Sequence, residues 1–200
     1  MNKLTPQGAF RKLAALYDKM VAEYDRAAGP IGLTCDGCTD NCCLSFFQHH
    51  TYVEWAYMWE GLNHLPAARL DEIRKRARDY VDQAQAALNR GGRPHIMCPL
   101  NIDEKQGVCG LYEHRLMICR MHGVPNQLVK PTGQIIRFPG CYRCQERTEG
   151  MDEPPFVDRT PLYKELVQLE MQFVGKNLRM LPKVDHTIAE MIVLGPPKLR

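Results

Sequence analysis

Apolar side chains at Phe10, Leu13, Ala14, Tyr17, Met20, Val21 and Tyr24 recur with the spacing of one helix face, and predict an amphipathic helix over 6–27. Pro6 suits a first helical turn, and Gly29-Pro30 stops the pattern. The same period returns at Trp55, Met58, Trp59 and Leu62, which predicts a short helix over about 51–63. Leu70, Ile73, Ala77, Tyr80, Val81, Ala84 and Leu88 predict a longer one over about 66–89, closed by Gly91-Gly92. Leu162, Leu166, Leu169 and Phe173 mark another from about 160 to 180. A short helix near 185–194 precedes a basic, proline-containing tail.

Two stretches break the helical pattern. Residues 32–43 are rich in Gly, Asp, Asn and Thr, the composition of an irregular loop folded around something. From 93 to 150, short apolar runs alternate with Gly and Pro. Gln127 to Lys130 and Gln134 to Phe138 flank a Lys130-Pro131-Thr132-Gly133 turn and read as a small β-hairpin. An acid- and proline-rich loop covers 149–160. The expected fold is mainly α: one domain of 200 residues, with helices packed around an irregular, cysteine-rich metal-binding centre and one small hairpin. Neither βαβ alternation nor a glycine-rich phosphate loop is visible.

The cysteines change the picture most. Nine occur, four of them crowded as Cys35, Cys38, Cys42 and Cys43, followed by Cys98, Cys109, Cys119, Cys141 and Cys144. Clustered thiolates are soft ligands and select zinc, copper(I) or iron–sulfur clusters. Cys35/Cys38 and Cys141/Cys144 are C-x2-C pairs, a spacing that lets two thiolates from one turn reach the same metal. The 102 residues between the pairs far exceed a zinc-ribbon separation, so spacing alone does not join them. Cys42 and Cys43 are adjacent, and neighbouring side chains of an extended chain point to opposite faces. Either each serves a different centre or one binds while the other packs. Nine thiols suffice for two four-sulfur centres with one spare, or for one centre plus structural cysteines. His95 and His122 lie three residues from Cys98 and Cys119, and His49 and His50 follow the first cluster, yet with thiols in excess no histidine is required.

Composition narrows the setting. A formal charge of +3, from 26 basic and 23 acidic side chains, is too small to argue for nucleic acid or an anionic membrane. Arg69, Arg74, Lys75, Arg76 and Arg78 alternate with acids along 66–89, the mark of a solvated helix face. No run of about 20 apolar residues predicts a transmembrane helix, and the N-terminal segment lacks a signal-peptide core. A cytoplasmic protein is expected, in which a reducing milieu keeps thiols free for metal; the odd cysteine count also weighs against a disulfide framework. A thioredoxin-like redox pair lacks its βαβ setting, and the His-x-Glu…Pro-Cys-x-x-Cys order of zinc deaminases is missing.

The ordered elements resemble the YkgJ-like cysteine-cluster family, a zinc- or iron-chelating domain named for its CxxCxxCC signature. Cys35, Cys38, Cys42 and Cys43 match that signature with one extra residue before the last pair. Cys98-Pro99-Leu100 is similar to the next element. Gly107-Val108-Cys109-Gly110-Leu111-Tyr112-Glu113-His114-Arg115, followed by Cys119-Arg120, resembles its Gly-x-Cys-x-x-Tyr-Glu-x-Arg-Pro-x-x-Cys-Arg segment, with Leu116 in place of proline. The match spans about 33–144. Cys141 and Cys144 rest on spacing alone.

The resemblance implies a metal-binding domain, at times labelled an iron–sulfur oxidoreductase and also found within flagellin lysine methylases. Tyr112, Glu113, Arg115 and Arg120 fall within its pattern. Arg115, Arg120 and His122 are the expected outer neighbours of the ligands, since an arginine beside thiolates offsets their charge. The leading expectation is an iron–sulfur protein, with a 4Fe–4S cluster as its cofactor, acting in redox or electron transfer with a protein partner. Two alternatives stand beside it: a zinc-stabilised binding module without catalysis, and a metal-dependent accessory to a protein-modification enzyme.

Overall fold

The fold is drawn from a computed structural model, in which residues 3–35, 38 and 41–199 are described. The loop expected over 32–43 therefore lies partly outside the described residues, as does the last residue of the basic tail.

Thr5 caps the first helix by accepting a hydrogen bond from the Gly8 amide, and Pro6 occupies its first turn, so α1 runs Pro6–Ala28. Its apolar stripe buries Leu13, Leu16, Tyr17 and Met20. α2, Tyr52–Asn63, has buried residues on nearly every side, Tyr52, Val53, Trp55, Met58, Trp59 and Leu62 among them, which makes it the central helix. α3, Ala67–Asn89, is amphipathic and buries Ile73, Ala77, Tyr80 and Ala84. The later helices are α4 (Met117–Met121), α5 (Tyr142–Thr148), α6 (Thr160–Val174) and α7 (Ile188–Leu194).

α1 packs on α2, α4 and α6, while α3 packs on α7. Both indoles of α2 fasten α7: Trp59 Nε1 donates to the Met191 carbonyl at 3.0 Å, and Trp55 Nε1 to that of Gly195 at 2.9 Å. Two buried carboxylates complete the frame. Glu170 of α6 accepts from the Tyr52 and Val53 amides at 2.9 and 2.8 Å and so satisfies buried N–H groups at the start of α2 that have no partner within the helix. Glu54 of α2 accepts from Tyr17 Oη of α1, from Thr51 Oγ1 and from the Met117 amide that opens α4.

The fold is mainly helical, as the periodicity predicts, but it carries two small sheets instead of one hairpin. β1 (Asn101–Asp103) and β2 (Val108–Cys109) form an antiparallel pair. β3 (Asn126–Val129) and β4 (Ile135–Phe138) form the expected hairpin, in register from Asn126↔Phe138 to Val129↔Ile135. β5 (Val157–Asp158) adds to β3 in parallel, within the stretch expected to be loop. The helix expected from 160 to 180 is α only to Val174 and continues as a 3₁₀ turn over Gly175–Arg179, where Gly175 adopts φ +77°. Among the described residues no helix is long and apolar enough to cross a membrane.

Candidate metal centre

The cysteine-bearing loops are held against the helical frame by backbone bonds and a few side chains. Cys42 and Cys43 open a 3₁₀ turn, Cys42–Leu44, capped by Asn41, whose Oδ1 accepts from the Cys43 amide at 3.1 Å. Asn41 Nδ2 also donates to the Glu104 carbonyl at 3.0 Å and pins this turn to the β1–β2 connection. Gly107 closes that connection at φ +68°, and a Cβ there would lie 2.8 Å from Asn41 Cβ. The Cys98 amide donates to the Cys43 carbonyl at 2.8 Å. Arg76 of α3 donates to the carbonyls of Asn101 and Cys98 at 2.7 and 3.3 Å. Arg76 therefore braces the cysteine loop; it is not part of a purely solvated face.

Cys43, Cys98, Cys109 and Cys119 form an inner group. Each thiol lies within electrostatic range of the other three, and all four line one cavity of about 50 Å³, together with Cys42, Met58, Tyr80 and Leu116. The Leu111 amide donates to Cys109 Sγ at 3.4 Å. The Leu100 amide lies against Cys98 in the same relation, two residues on, and likewise favours the thiolate. Both Cys-x-Leu turns thus aim a main-chain donor at sulfur, as in a metal knuckle.

Burial dominates the electrostatics. It drives Cys98 well above the ordinary thiol pKa and Cys119 to about 12, with Arg115 opposing the rise at Cys119. Cys43 goes the other way, to about 6, because Cys42 hydrogen-bonds to its sulfur and the Asn101 amide lies against it. Cys42 is correspondingly raised as the protonated partner. Arg115 stands at the centre of this charge. Burial opposes its cation, but Cys119, Cys42 and Cys109 hold its pKa above the usual value.

A second set of thiols faces a wider cavity of about 330 Å³, lined by Cys35, Cys38, Cys42, Cys141 and Tyr24 and bordered by Arg115 and Arg143. Three thiols of the two C-x2-C pairs, Cys35, Cys38 and Cys141, line it, while Cys144 is buried and does not. Cys35 lies in range of Cys38 and Cys141, Cys141 in range of Cys144, and Cys38 Sγ is 3.8 Å from Tyr142 Oη. Tyr24 is raised by burial first and then by Cys35, Cys141, Cys42 and Cys144. Cys42 lines both cavities.

The expected outer neighbours divide. Arg115 reaches the thiols, donates to the Cys119 carbonyl and stacks over Tyr112 at 5.0 Å. Arg120 instead donates to the carbonyls of Arg115, Tyr112 and Glu113 and lies 4.3 Å over the Tyr17 ring, so it shapes the turn that presents Arg115. His122 packs edge-on against Phe47 at 4.8 Å and lines the wider cavity. His95 is exposed.

Sequence reasoning passed over two residues at the inner group. His49 is only 1% exposed, lines the inner cavity, and has neither ring nitrogen hydrogen-bonded. Burial lowers its pKa to about 3, which keeps the imidazole neutral. Asn101, beside Cys43, has both side-chain amide atoms buried without a partner at hydrogen-bonding geometry. Among the described residues six buried side-chain N or O atoms lack partners, and four of them belong to these two residues. His49 carries a faint sequence signal, since it follows the first cysteine cluster; Asn101 carries none.

Among the described residues no three His, Cys, Asp or Glu side chains stand where they could share a single metal ion. Among the described residues no two cysteines are joined in a disulfide. Compared with protein-family models, curated proteins and solved structures, the chain matches none.

Proposed function

We propose that this chain is a cysteine-cluster metalloprotein of the YkgJ-like type, whose inner thiols hold an iron–sulfur cluster used in electron transfer. The observation that carries this reading is the inner group itself. Cys43, Cys98, Cys109 and Cys119 come from four separate segments, lie within electrostatic range of one another, and surround a cavity lined by His49, whose buried ring nitrogens lack partners. The donor set fits the group in kind, since four cysteines are the usual ligands of such clusters. Thiols arranged around a void also suit a cluster, whose irons and sulfides occupy the space between ligands. A single zinc ion would need the same thiols to converge on one point.

When bound, such a cluster supplies one-electron exchange. The chain's own residues set the conditions. Arg115 offsets thiolate charge, the Leu100 and Leu111 amides favour the ionised sulfurs, and Met58, Leu100 and Leu116 keep water from the cavity. Because Cys98 and Cys119 are held protonated by burial, metal uptake must release protons and strengthens as pH rises. Anaerobically purified protein is expected to show broad thiolate-to-iron absorption in the visible, lost in Cys98→Ser. Full visible absorption in that variant would contradict the assignment of Cys98.

A further inference from the structure

The backbone of His49 is fixed on both sides, and its ring is turned into the protein. Its amide donates to the His186 carbonyl at 2.8 Å, and its carbonyl accepts from the His186 amide at 3.2 Å, an isolated antiparallel bridge. Both strands of that bridge are anchored. Three residues after His49, the Tyr52 amide donates to Glu170 at the start of α2. Directly after His186, Thr187 and Glu190 form the capping box that opens α7. The His186 ring packs edge-on against Trp55, with centroids 5.5 Å apart. Successive side chains of an extended segment alternate in direction. His50 accordingly turns outward, 3.4 Å from Asp185, and His49 turns inward to the wall of the inner cavity.

Burial keeps the His49 imidazole neutral, so it presents one N–H donor and one bare nitrogen, and neither finds a hydrogen-bond partner among the described residues. Buried polar atoms are nearly always paired, so a donor in a cavity wall calls for an acceptor inside the cavity. The other side-chain nitrogens of this wall are committed: His114 Nε2 pairs with Glu60, and Arg115 donates to the Cys119 carbonyl. Met58, Leu116, Ile188 and Ala189 offer no polar side-chain atom.

We infer that His49 donates a hydrogen bond from its ring N–H to a sulfur of the centre held by Cys43, Cys98, Cys109 and Cys119, and thereby raises its reduction potential. This rests on the reading of those thiols as an iron–sulfur site. Four thiolates complete the ligand set, so the imidazole acts as a donor and not as a ligand. One-electron reduction adds negative charge to the centre, and a donor aimed at sulfur stabilises the reduced state more than the oxidised one. The Leu111 amide acts in the same way from the main chain at Cys109, at 3.4 Å. His49 is its side-chain counterpart, pre-oriented by the bridge to His186.

The test is a redox titration of the anaerobically purified full chain, with dithionite as reductant and EPR as readout, beside pulsed EPR of parent protein carrying isotopically nitrogen-labelled histidine. His49→Leu should hold parent amounts of iron and sulfide and show a reduction potential shifted to lower values. Gln places its amide nitrogen near the position of Nε2 and Asn near that of Nδ1. One of His49→Gln and His49→Asn should therefore restore much of the shift, and which one does so identifies the donating nitrogen. The labelled parent should show a weak histidine-nitrogen coupling to the reduced centre, of the kind a hydrogen bond transmits, and His49→Leu should lack it. A parent-like potential in His49→Leu would overturn the inference, and so would a shift that neither amide restores, which would trace it to lost packing. A strong coupling, the mark of a directly bound imidazole, or no coupling at all would also overturn it. The labelled parent needs no substitution, so that arm decides even if His49→Leu fails to fold. Protein without iron and sulfide would instead remove the iron–sulfur reading itself, a distinguishable result.

Discussion

Glu54 is a single side chain on which three elements depend. Its carboxylate takes hydrogen bonds from Tyr17, Thr51 and the Met117 amide, at 2.9, 2.8 and 2.7 Å, and it is 3% exposed. Glu54→Ala leaves three donors unsatisfied in the interior and is expected to cost about 3 kcal/mol or more by urea unfolding. Glu54→Gln, which retains an acceptor, should recover part of that loss, and equal stability of the Ala variant and the parent would refute the role. Arg115 acts through charge. Its guanidinium lowers the pKa of Cys35, Cys109 and Cys119 against the effect of burial. Arg115→Leu should therefore move the alkylation of these thiols in metal-free protein to higher pH, by about one pH unit. An unchanged pH profile would mean that its charge is spent elsewhere. Of the two, only the role of Arg115 is legible at this scale from sequence. Glu54 sits inside an apolar run with nothing to mark its partners, whereas Arg115 is suggested by its place near two cysteines and not by any periodicity.

The long helices are the legible elements. A 3.6-residue period over 12 to 23 residues leaves few alternatives, and α1, α2 and α3 begin and end within a residue or two of the positions predicted. The short elements are not legible. β1 and β2 are three and two residues long, and α4 and α5 only five and seven, so no period can develop; they exist because tertiary partners hold them. Arg76, Asn41 and Gly107 do that for the β1–β2 unit. Gly61 does it for the turn Tyr112–His114. The His114 ring lies where a Gly61 Cβ would be, 2.5 Å from its Cγ, and pairs with Glu60 while packing on Tyr57. Gly61→Ala should displace this turn and destabilise the protein by about 1–3 kcal/mol. A parent-like melting temperature would show that the turn accommodates the methyl group. Glu170→Ala, which removes the partner of two amides at the start of α2, should cost a similar amount, about 1–3 kcal/mol, read by the same melting measurement.

Across the whole molecule, the long helices form a scaffold, and braced loops and short helices bring together thiols that lie up to about a hundred residues apart. Sequence supplies the nine cysteines and allows for two centres with one spare. It cannot say which thiols meet, because that depends on where α5 docks and how the β1–β2 unit turns. The burial of His49 is another consequence of the whole fold. Its folded pKa of about 3 lies below the ordinary histidine value, so between the two an unfolded chain binds a proton that the folded chain refuses. The contribution to stability is complete above pH of about 6.5 and is lost as pH falls toward 3, by up to roughly 1.4 kcal/mol per pH unit. Urea unfolding of metal-free protein at pH 7, 6 and 5 should show this decline and a shallower one in His49→Leu; identical slopes would contradict it.

The central claim is that the inner thiols hold an iron–sulfur cluster, and one measurement meets it most directly: iron, acid-labile sulfide and zinc determined together on anaerobically purified full chain. Iron and sulfide in matching amounts, lost together in Cys98→Ser, is the predicted result. Zinc without sulfide, or protein free of both metals, would contradict it.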